Sequence, residues 1–145
     1  MTALAARLGS GWMSPSVNSI AESVRNTKSS SASAKYIVVD EMVFNALAES
    51  APIELINLVR ADVLEPHDLT YAAEALGRIA DEKKVAPILL RLLSHASAVV
   101  REGAVYGLGM HLSKKVVKKL QKVHRGEPSP GVRQAIEEVL ADSHS

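Results

Sequence analysis

Apolar residues recur along the chain at three- and four-residue spacing, and the same arrangement returns after 32 residues. Leu76, Leu108 and Leu140 take equivalent places in the segments HDLTYAAEALG, VVREGAVYGLG and GVRQAIEEVLA. Spacing of three to four residues is typical of a helix with one apolar face. A fixed period of this length is typical of stacked helical repeats. The pattern therefore predicts three equivalent amphipathic helices.

Start signals and a second set of helices fit the same period. Pro66 and Pro130 stand where a first helical turn tolerates a missing N–H, and they follow Glu65 and Ser129. Ser97 holds the place that corresponds to Glu65 and Ser129. A second set is predicted to open near residues 53, 85 and 117, each of about 10 to 12 residues. Pro87 lies farther into its segment, so that helix is predicted either to start later or to bend.

Upstream of residue 50 the period weakens, although helical spacing continues. SPSVNSIAESVRNT predicts one helix at residues 14–27, and KYIVVDEMVFNALAES predicts another at residues 35–50. The Ser-rich stretch KSSSASA separates them. We predict a Ser-rich N-terminal segment with one helix at residues 1–34 and a repeat domain at residues 35–145. An arrangement in which the N-terminal helix caps the same domain stays open.

The stretch IADEKKVAPILLRLLSHASAVVREGAVYGLG resembles a HEAT repeat of the type also found in phycobilin lyases. It has an Asp-led turn, a Val-Ala-Pro helix start with paired leucines, and Val-Arg followed by Ala and Leu-Gly. The resemblance covers roughly residues 50–141. It implies an all-α fold: a short right-handed α-solenoid of helix pairs with a period of about 32, preceded by an atypical N-terminal helix pair. Such repeats occur in scaffolds, adaptors and a few lyases, so the fold does not choose the function.

Small residues and two arginines make further structural predictions. Gly103, Gly107 and Gly109 lie in one helix, where glycine costs about 1 kcal/mol relative to alanine. We expect this helix to approach its repeat neighbours closely. Arg101 and Arg133 hold equivalent places and are predicted to pair with neighbouring turns.

Charge is distributed unevenly although the net charge is only +1. Residues 40–82 contain 2 basic and 10 acidic residues, a net charge of −8, whereas residues 111–145 contain 7 basic and 4 acidic residues, a net charge of +3. Such a gradient steers partners or favours head-to-tail self-association. Ordinary solvated helix faces account for it as well.

Motifs for catalysis, metal binding and membrane insertion do not occur in the sequence. There is no cysteine, and the five histidines lack the spacing of metal-ligand pairs. No phosphate-binding loop and no nucleophile motif is present. We predict no catalytic residue, no metal, no cofactor and no membrane-spanning helix, in a cytoplasmic protein that is not an enzyme. Organellar targeting by the N-terminal segment is a minor alternative.

A mixed polar ridge is the leading candidate for a binding site. Glu74, Tyr106 and Glu138 share one repeat position, with Glu102 one turn earlier and Arg78 one turn later. The second helices of stacked pairs line the concave surface, where Tyr supplies contact area and charged groups supply orientation. We predict a non-catalytic protein–protein interaction module, an adaptor, regulator or assembly subunit, whose partner is another protein. Self-association through exposed solenoid ends stays open.

The Lys-rich segment SKKVVKKLQKVHR supports an alternative. Lys114, Lys118 and Lys122 lie on one ridge of its predicted helix, and Lys115 and Lys119 on the next. Such a strip can contact the phosphates of a nucleic acid. No aromatic residue is interleaved for base stacking, so this alternative is less favoured. A lyase-like protein or a subunit of an enzyme complex is a second alternative.

Overall fold

The computed structural model describes residues 34–142, and this part of the chain consists of helices joined by short turns. In chain order they are α1 (Ala34–Ser50), α2 (Pro52–Arg60), α3 (Pro66–Leu76), α4 (Glu82–Leu92), α5 (Ala98–Leu108), α6 (Lys114–Gly126) and α7 (Pro130–Asp142). No strand occurs within this range. The all-α prediction is confirmed for these residues, and the helix predicted at residues 14–27 lies outside them.

The helices form two layers. The odd-numbered helices pack side by side in the order α1, α3, α5, α7, and the contact between α3 and α5 is the most extensive in the described chain. Each even-numbered helix packs mainly on its odd-numbered neighbours, namely α2 on α1 and α3, α4 on α5 and α3, and α6 on α7. Even-numbered helices contact one another far less. We call these layers the odd layer and the even layer.

The repeated start and stop signals fix where the helices of the odd layer begin and end. Pro66 and Pro130 are the first residues of α3 and α7, and Ser97 is the residue before α5. Proline suits the first turn because its missing N–H would have no partner there. Gly77 and Gly109 directly follow the ends of α3 and α5. The predicted equivalence of these helices is confirmed.

Pro87 is an interior residue of α4, which begins at Glu82. Of the two predicted alternatives, a later start or a bend, the later start is therefore wrong. Proline at this position removes the hydrogen bond that its N–H would make to the carbonyl of Lys83. Both Pro87 and Lys83 are exposed, so water can satisfy that carbonyl and the helix continues.

The core lies between the two layers and is almost entirely aliphatic. Phe44 is a fully buried aromatic side chain in α1, and the rest of the core is filled by Leu, Ile, Val and Ala. The periodic leucines Leu76 and Leu108 are fully buried. The side chains from both layers that are completely inaccessible include Leu47, Leu55, Leu58, Leu89, Leu120 and Ile136.

Glycine allows the helices of the odd layer to touch through their backbones. A Cβ placed on Gly107 would lie 2.6 Å from the carbonyl oxygen of Ala73, closer than real Cβ atoms approach other heavy atoms. A Cβ on Gly103 would collide with the carbonyl oxygen and the hydroxyl of Thr70. The close approach predicted from the small residues of α5 is thus observed between α3 and α5.

Arg101 bridges the turns that follow α4 and α6. Its Nε and Nη2 donate hydrogen bonds of 2.8 and 3.0 Å to the carboxylate of Glu127, while Nη1 donates to the carbonyls of His95 and Ala96. The two charged side chains are only 14% and 3% exposed. Arg133 repeats part of this pattern, because its Nη1 donates to the carbonyl of Glu127 at 2.7 Å. We call the Arg101–Glu127 pair the clasp.

The C-terminal end of the described stack is polar. Val132, Ile136 and Val139 of α7 are buried within the chain itself. The positions that would face a further repeat are exposed and carry Gln134, Glu137 and Ala141. Leu140 of the same helix is half-buried, and self-association through this end stays a prediction.

No helix within residues 34–142 is both long enough and apolar enough to cross a membrane.

Candidate functional site

The predicted ridge lies on the odd layer, where consecutive helices contribute one polar position each. Glu74 comes from α3, Glu102 and Tyr106 come from α5, and Glu138 comes from α7. Arg78 directly follows the C-cap of α3 and is exposed. We call these five residues the ridge. The close packing of these helices lets Glu74 interact electrostatically with Arg78 and Glu102. It lets Tyr106 interact with Glu74, Glu102 and Glu138.

A hydrogen bond between repeats joins two members of the ridge. The hydroxyl of Tyr106 donates to Oε2 of Glu138 at 2.8 Å, across 32 residues of sequence. Gln134 in the same helix donates from Nε2 to Oε1 of Glu138 at 3.2 Å. The phenol ring is half-buried, so the hydrogen bond fixes its direction at little cost in rotamer freedom.

Burial and acidic side chains from two neighbouring helices perturb Glu74. Burial raises the pKa of its carboxyl, and the carboxylates of Glu41 in α1 and Glu102 in α5 raise it further. Arg78 acts in the opposite direction but does not cancel these effects. Burial and the two neighbouring carboxylates each favour the uncharged carboxyl, and together they outweigh Arg78. Negative charge on this part of the ridge is therefore only partly compensated within the described chain.

The carboxylates of the ridge also act on the phenol of Tyr106. Burial, the hydrogen bond to Glu138 and the charges of Glu138, Glu102 and Glu74 together raise the pKa of Tyr106 to about 12. A phenol with this pKa stays protonated at neutral pH and remains a hydrogen-bond donor. It is unsuited to act as a general base near neutral pH.

The five predicted lysines all lie on α6, and all are exposed. Val116 and Leu120 hold the opposite side of this helix in the core. Four of the lysines line a groove between α4 and α6, and Lys114 is not among them. The groove also contains Leu90 and Arg91 of α4. The structure thus separates the acidic ridge and the lysines onto different layers.

Two functional candidates could not be recognised from the repeat period. Glu41 lies 33 rather than 32 residues before Glu74, in the helix that departs from the regular repeat. Arg91 is isolated in sequence and joins the lysines only because α4 and α6 run side by side.

The described side chains offer little for metal chemistry. Between residues 41 and 142 no group of three His, Asp or Glu side chains could hold a metal ion. Two histidines have other partners: His124 lies 2.7 Å from Glu137 through Nε2, and Nδ1 of His95 accepts the N–H of Ser97 at 3.0 Å.

Comparison with known proteins agrees with this architecture. The family model described as HEAT repeats matches residues 55–141, which is more than half of the chain. No curated protein and no solved structure is similar enough to match. The matched range begins in α2 and ends in α7, so it spans three helix pairs, α2 with α3, α4 with α5 and α6 with α7, apart from the first turn of α2 and the last residue of α7.

Proposed function

The chain belongs to the HEAT repeat family, and we propose that it is a non-catalytic module that binds another protein through the ridge. HEAT repeats commonly mediate protein–protein interactions. In this proposal the protein acts as an adaptor, a regulator or an assembly subunit, needs no cofactor, and works in the cytoplasm. The absence of cysteine fits a reducing compartment.

The observation that supports this proposal is the negative charge on the odd layer, which is only partly compensated within the described residues. Four helices each contribute a carboxylate to this surface, from Glu41, Glu74, Glu102 and Glu138, and Arg78 provides an opposing charge. Like charges held close together by backbone packing cannot move apart to relieve their repulsion. A partner that presents Lys or Arg would relieve it, which also gives the interface its orientation. The partner surface is therefore basic.

Apolar contact area is available beside these charges. Tyr106 is half-buried with a fixed hydroxyl, and Met110 at the end of the same repeat is 48% exposed. Tyrosine is enriched among residues that dominate binding energy, and methionine is enriched at interfaces. The combination suits a partner with one apolar side chain flanked by basic ones.

The test is capture of a partner by the full chain and by a ridge variant carrying Tyr106→Ala and Glu74→Lys. Tagged protein retains partners from an extract of its native cell, and the retained proteins are identified by mass spectrometry. We expect the ridge variant to lose a stoichiometric partner, with binding weakened by about 100-fold or more. Circular dichroism checks that both proteins keep the same helix content.

The matched control reverses the charge of an acidic residue away from the ridge. Glu82→Lys changes an exposed side chain in the first turn of α4 and should retain the partner. Unchanged capture by the ridge variant would refute the proposed surface. Equal loss with both variants would mean that overall charge, rather than the ridge, controls binding.

A further inference from the structure

A groove on the even layer gathers positive charge from two helices. Its lining consists of Arg91 and Leu90 from α4 together with four lysines from α6. The lysines are Lys115, Lys118, Lys119 and Lys122. We call this surface the cationic groove.

None of the five cations in the cationic groove forms an ion pair with an acidic side chain between residues 41 and 142. All five are exposed. Two half-buried arginines of the odd layer behave differently, since Arg101 pairs with Glu127 and Arg133 bonds to a carbonyl. Five cations that form no ion pair within these residues produce a positive potential that attracts an anionic partner.

The base of the cationic groove is apolar, so a partner needs an apolar group to place against it. Leu90 is half-buried, and the methylene stems of the surrounding lysines extend the apolar surface around it. A phosphate backbone offers nothing to place against such a floor. None of the six lining residues is aromatic, so stacked bases would find no platform either. An anionic partner with an apolar stripe fits better than a nucleic acid.

The lysine spacing indicates the shape of that partner. Lys115 and Lys119, and likewise Lys118 and Lys122, are separated by four residues of α6, a rise of about 6 Å along the helix. Carboxylates at positions i and i+4 of a second helix have the same rise. A groove between two helices also has the form that accepts an amphipathic helix.

We propose that the cationic groove binds an acidic amphipathic helix of another protein, with an apolar side chain on Leu90 and carboxylates on the lysines. This site lies on the opposite layer from the ridge and does not rest on the function proposed for the ridge. It would allow the protein to hold two partners of opposite charge at once.

Fluorescence anisotropy with three labelled probes tests the proposal on the full chain. The first probe is a synthetic helical peptide with Glu at i and i+4 and one Leu stripe. The second is a scrambled peptide of the same composition, and the third is a single-stranded oligonucleotide. We expect the amphipathic peptide to bind about tenfold more tightly than the scrambled one, because only its leucines lie on one side.

Two matched double variants then locate the binding. Lys118→Glu with Lys122→Glu should weaken the amphipathic peptide by about tenfold or more. Lys83→Glu with Lys84→Glu makes the same change in net charge on the first turn of α4, outside the cationic groove, and should leave affinity within about twofold. Thermal unfolding confirms that both variants are folded.

Leu90→Ala separates the apolar contact from charge alone. It should remove the preference for the amphipathic peptide over the scrambled one. The proposal is overturned if the two peptides bind equally to the unmodified chain, if neither binds, or if both charge variants lose affinity to the same degree. Tighter binding of the oligonucleotide than of the amphipathic peptide would also overturn it, in favour of a nucleic-acid site.

Discussion

In the odd layer the helix backbones approach until no room is left for a Cβ, whereas the even layer keeps its helices apart. Gly107 rests on the backbone of Ala73, and Gly103 rests on Thr70. In the even layer, α4 and α6 leave a groove between them and are connected through their turns by the clasp. Helices of the odd layer thus contact one another by close packing, whereas α4 and α6 of the even layer are joined by polar contacts at their turns.

This difference gives the two faces different chemistry. Close packing in the odd layer forces Glu74 and Glu102 into mutual repulsion, which contributes to the raised pKa of Glu74. The wider spacing of the even layer lets long side chains such as Lys118 and Arg91 surround an open groove. In the two proposals, the spacing between helices therefore determines which type of partner each layer would bind.

The largest expected effect comes from removing the clasp. Arg101→Met leaves the carboxylate of Glu127, which is 3% exposed, without its guanidinium. Breaking a buried pair in this way should lower the free energy of unfolding by about 3 kcal/mol. Urea unfolding followed by circular dichroism measures the loss. Arg133→Met removes a single bond to a carbonyl and should cost only about 1 kcal/mol, so equal losses would contradict the role of the clasp.

The contribution of the clasp to the free energy of unfolding should also depend on pH in the acid range. The hydrogen bonds from Arg101 lower the pKa of Glu127 below its ordinary value of 4.5, although burial acts against them. Because the folded-state pKa is the lower one, the stabilisation is complete above about pH 4.5 and is lost as the pH falls further. Unfolding curves of Glu127→Gln should lack this part of the acid dependence.

The second largest effect is expected from a substitution that breaks the close contact between helices of the odd layer. Gly103→Ala places a methyl group against the carbonyl of Thr70, so α3 and α5 must move apart. We expect a loss of about 2 kcal/mol in urea unfolding, as for other overpacked cores. Gly126→Ala is the control, because a Cβ there meets nothing within 4 Å. An equal loss in the control would show that backbone proximity is not what matters.

The third prediction compares the starts of two helices. Ser113 caps α6 in the even layer by accepting the N–H of Val116, whereas Ser97 makes no side-chain cap to α5 in the odd layer. Ser113→Ala should therefore lower stability by about 1 kcal/mol. Ser97→Ala should change it by less than about 0.5 kcal/mol. Thermal unfolding distinguishes these results, and the reverse order would contradict the comparison.

The smallest effect on stability near neutral pH is expected at the ridge. Tyr106 should titrate near pH 12, and Glu138→Gln should move that pKa downward by removing a negative charge. The folded pKa exceeds the ordinary value of 10.0, so the associated stabilisation is lost between about pH 10 and pH 12. Ultraviolet titration of tyrosinate, with Tyr106→Phe to assign the signal, measures the shift. A Tyr106 pKa that does not respond to Glu138→Gln would contradict the observed hydrogen bond.

Sequence patterns were sufficient to predict the repeated helices, but not to predict which residues meet on the surfaces between helices. Pro66, Ser97 and Pro130 mark local events within single helices, so their meaning can be read from the chain. The boundary near Pro87 could not, because whether a proline is tolerated depends on solvent access to a carbonyl. Arg91 joins the lysines of the cationic groove because α4 and α6 lie side by side in the fold, which no linear pattern contains.

The acidic surface around the ridge likewise contains residues that the sequence pattern predicts and one that it does not. Its regular members follow from the period, whereas Glu41 belongs to a helix outside the regular repeat and appears only in the folded chain. The role of Arg101 in joining turns was predictable, but its acceptor Glu127 was not, since the partner lies 26 residues away. The choice of ridge residues as a partner site remains a prediction.

Because of the clasp, successive junctions between repeats are expected to differ in stability. Leu69 occupies in α3 the place that Arg101 occupies in α5, and His95 stands where the next turn has Glu127. The earlier junction therefore has no bidentate pair, and the later one does. In a linear array, stability is a sum of terms from each unit and each junction. We expect the later helices to melt as one cooperative block, while α1 and α2 open first and exchange their amide hydrogens sooner.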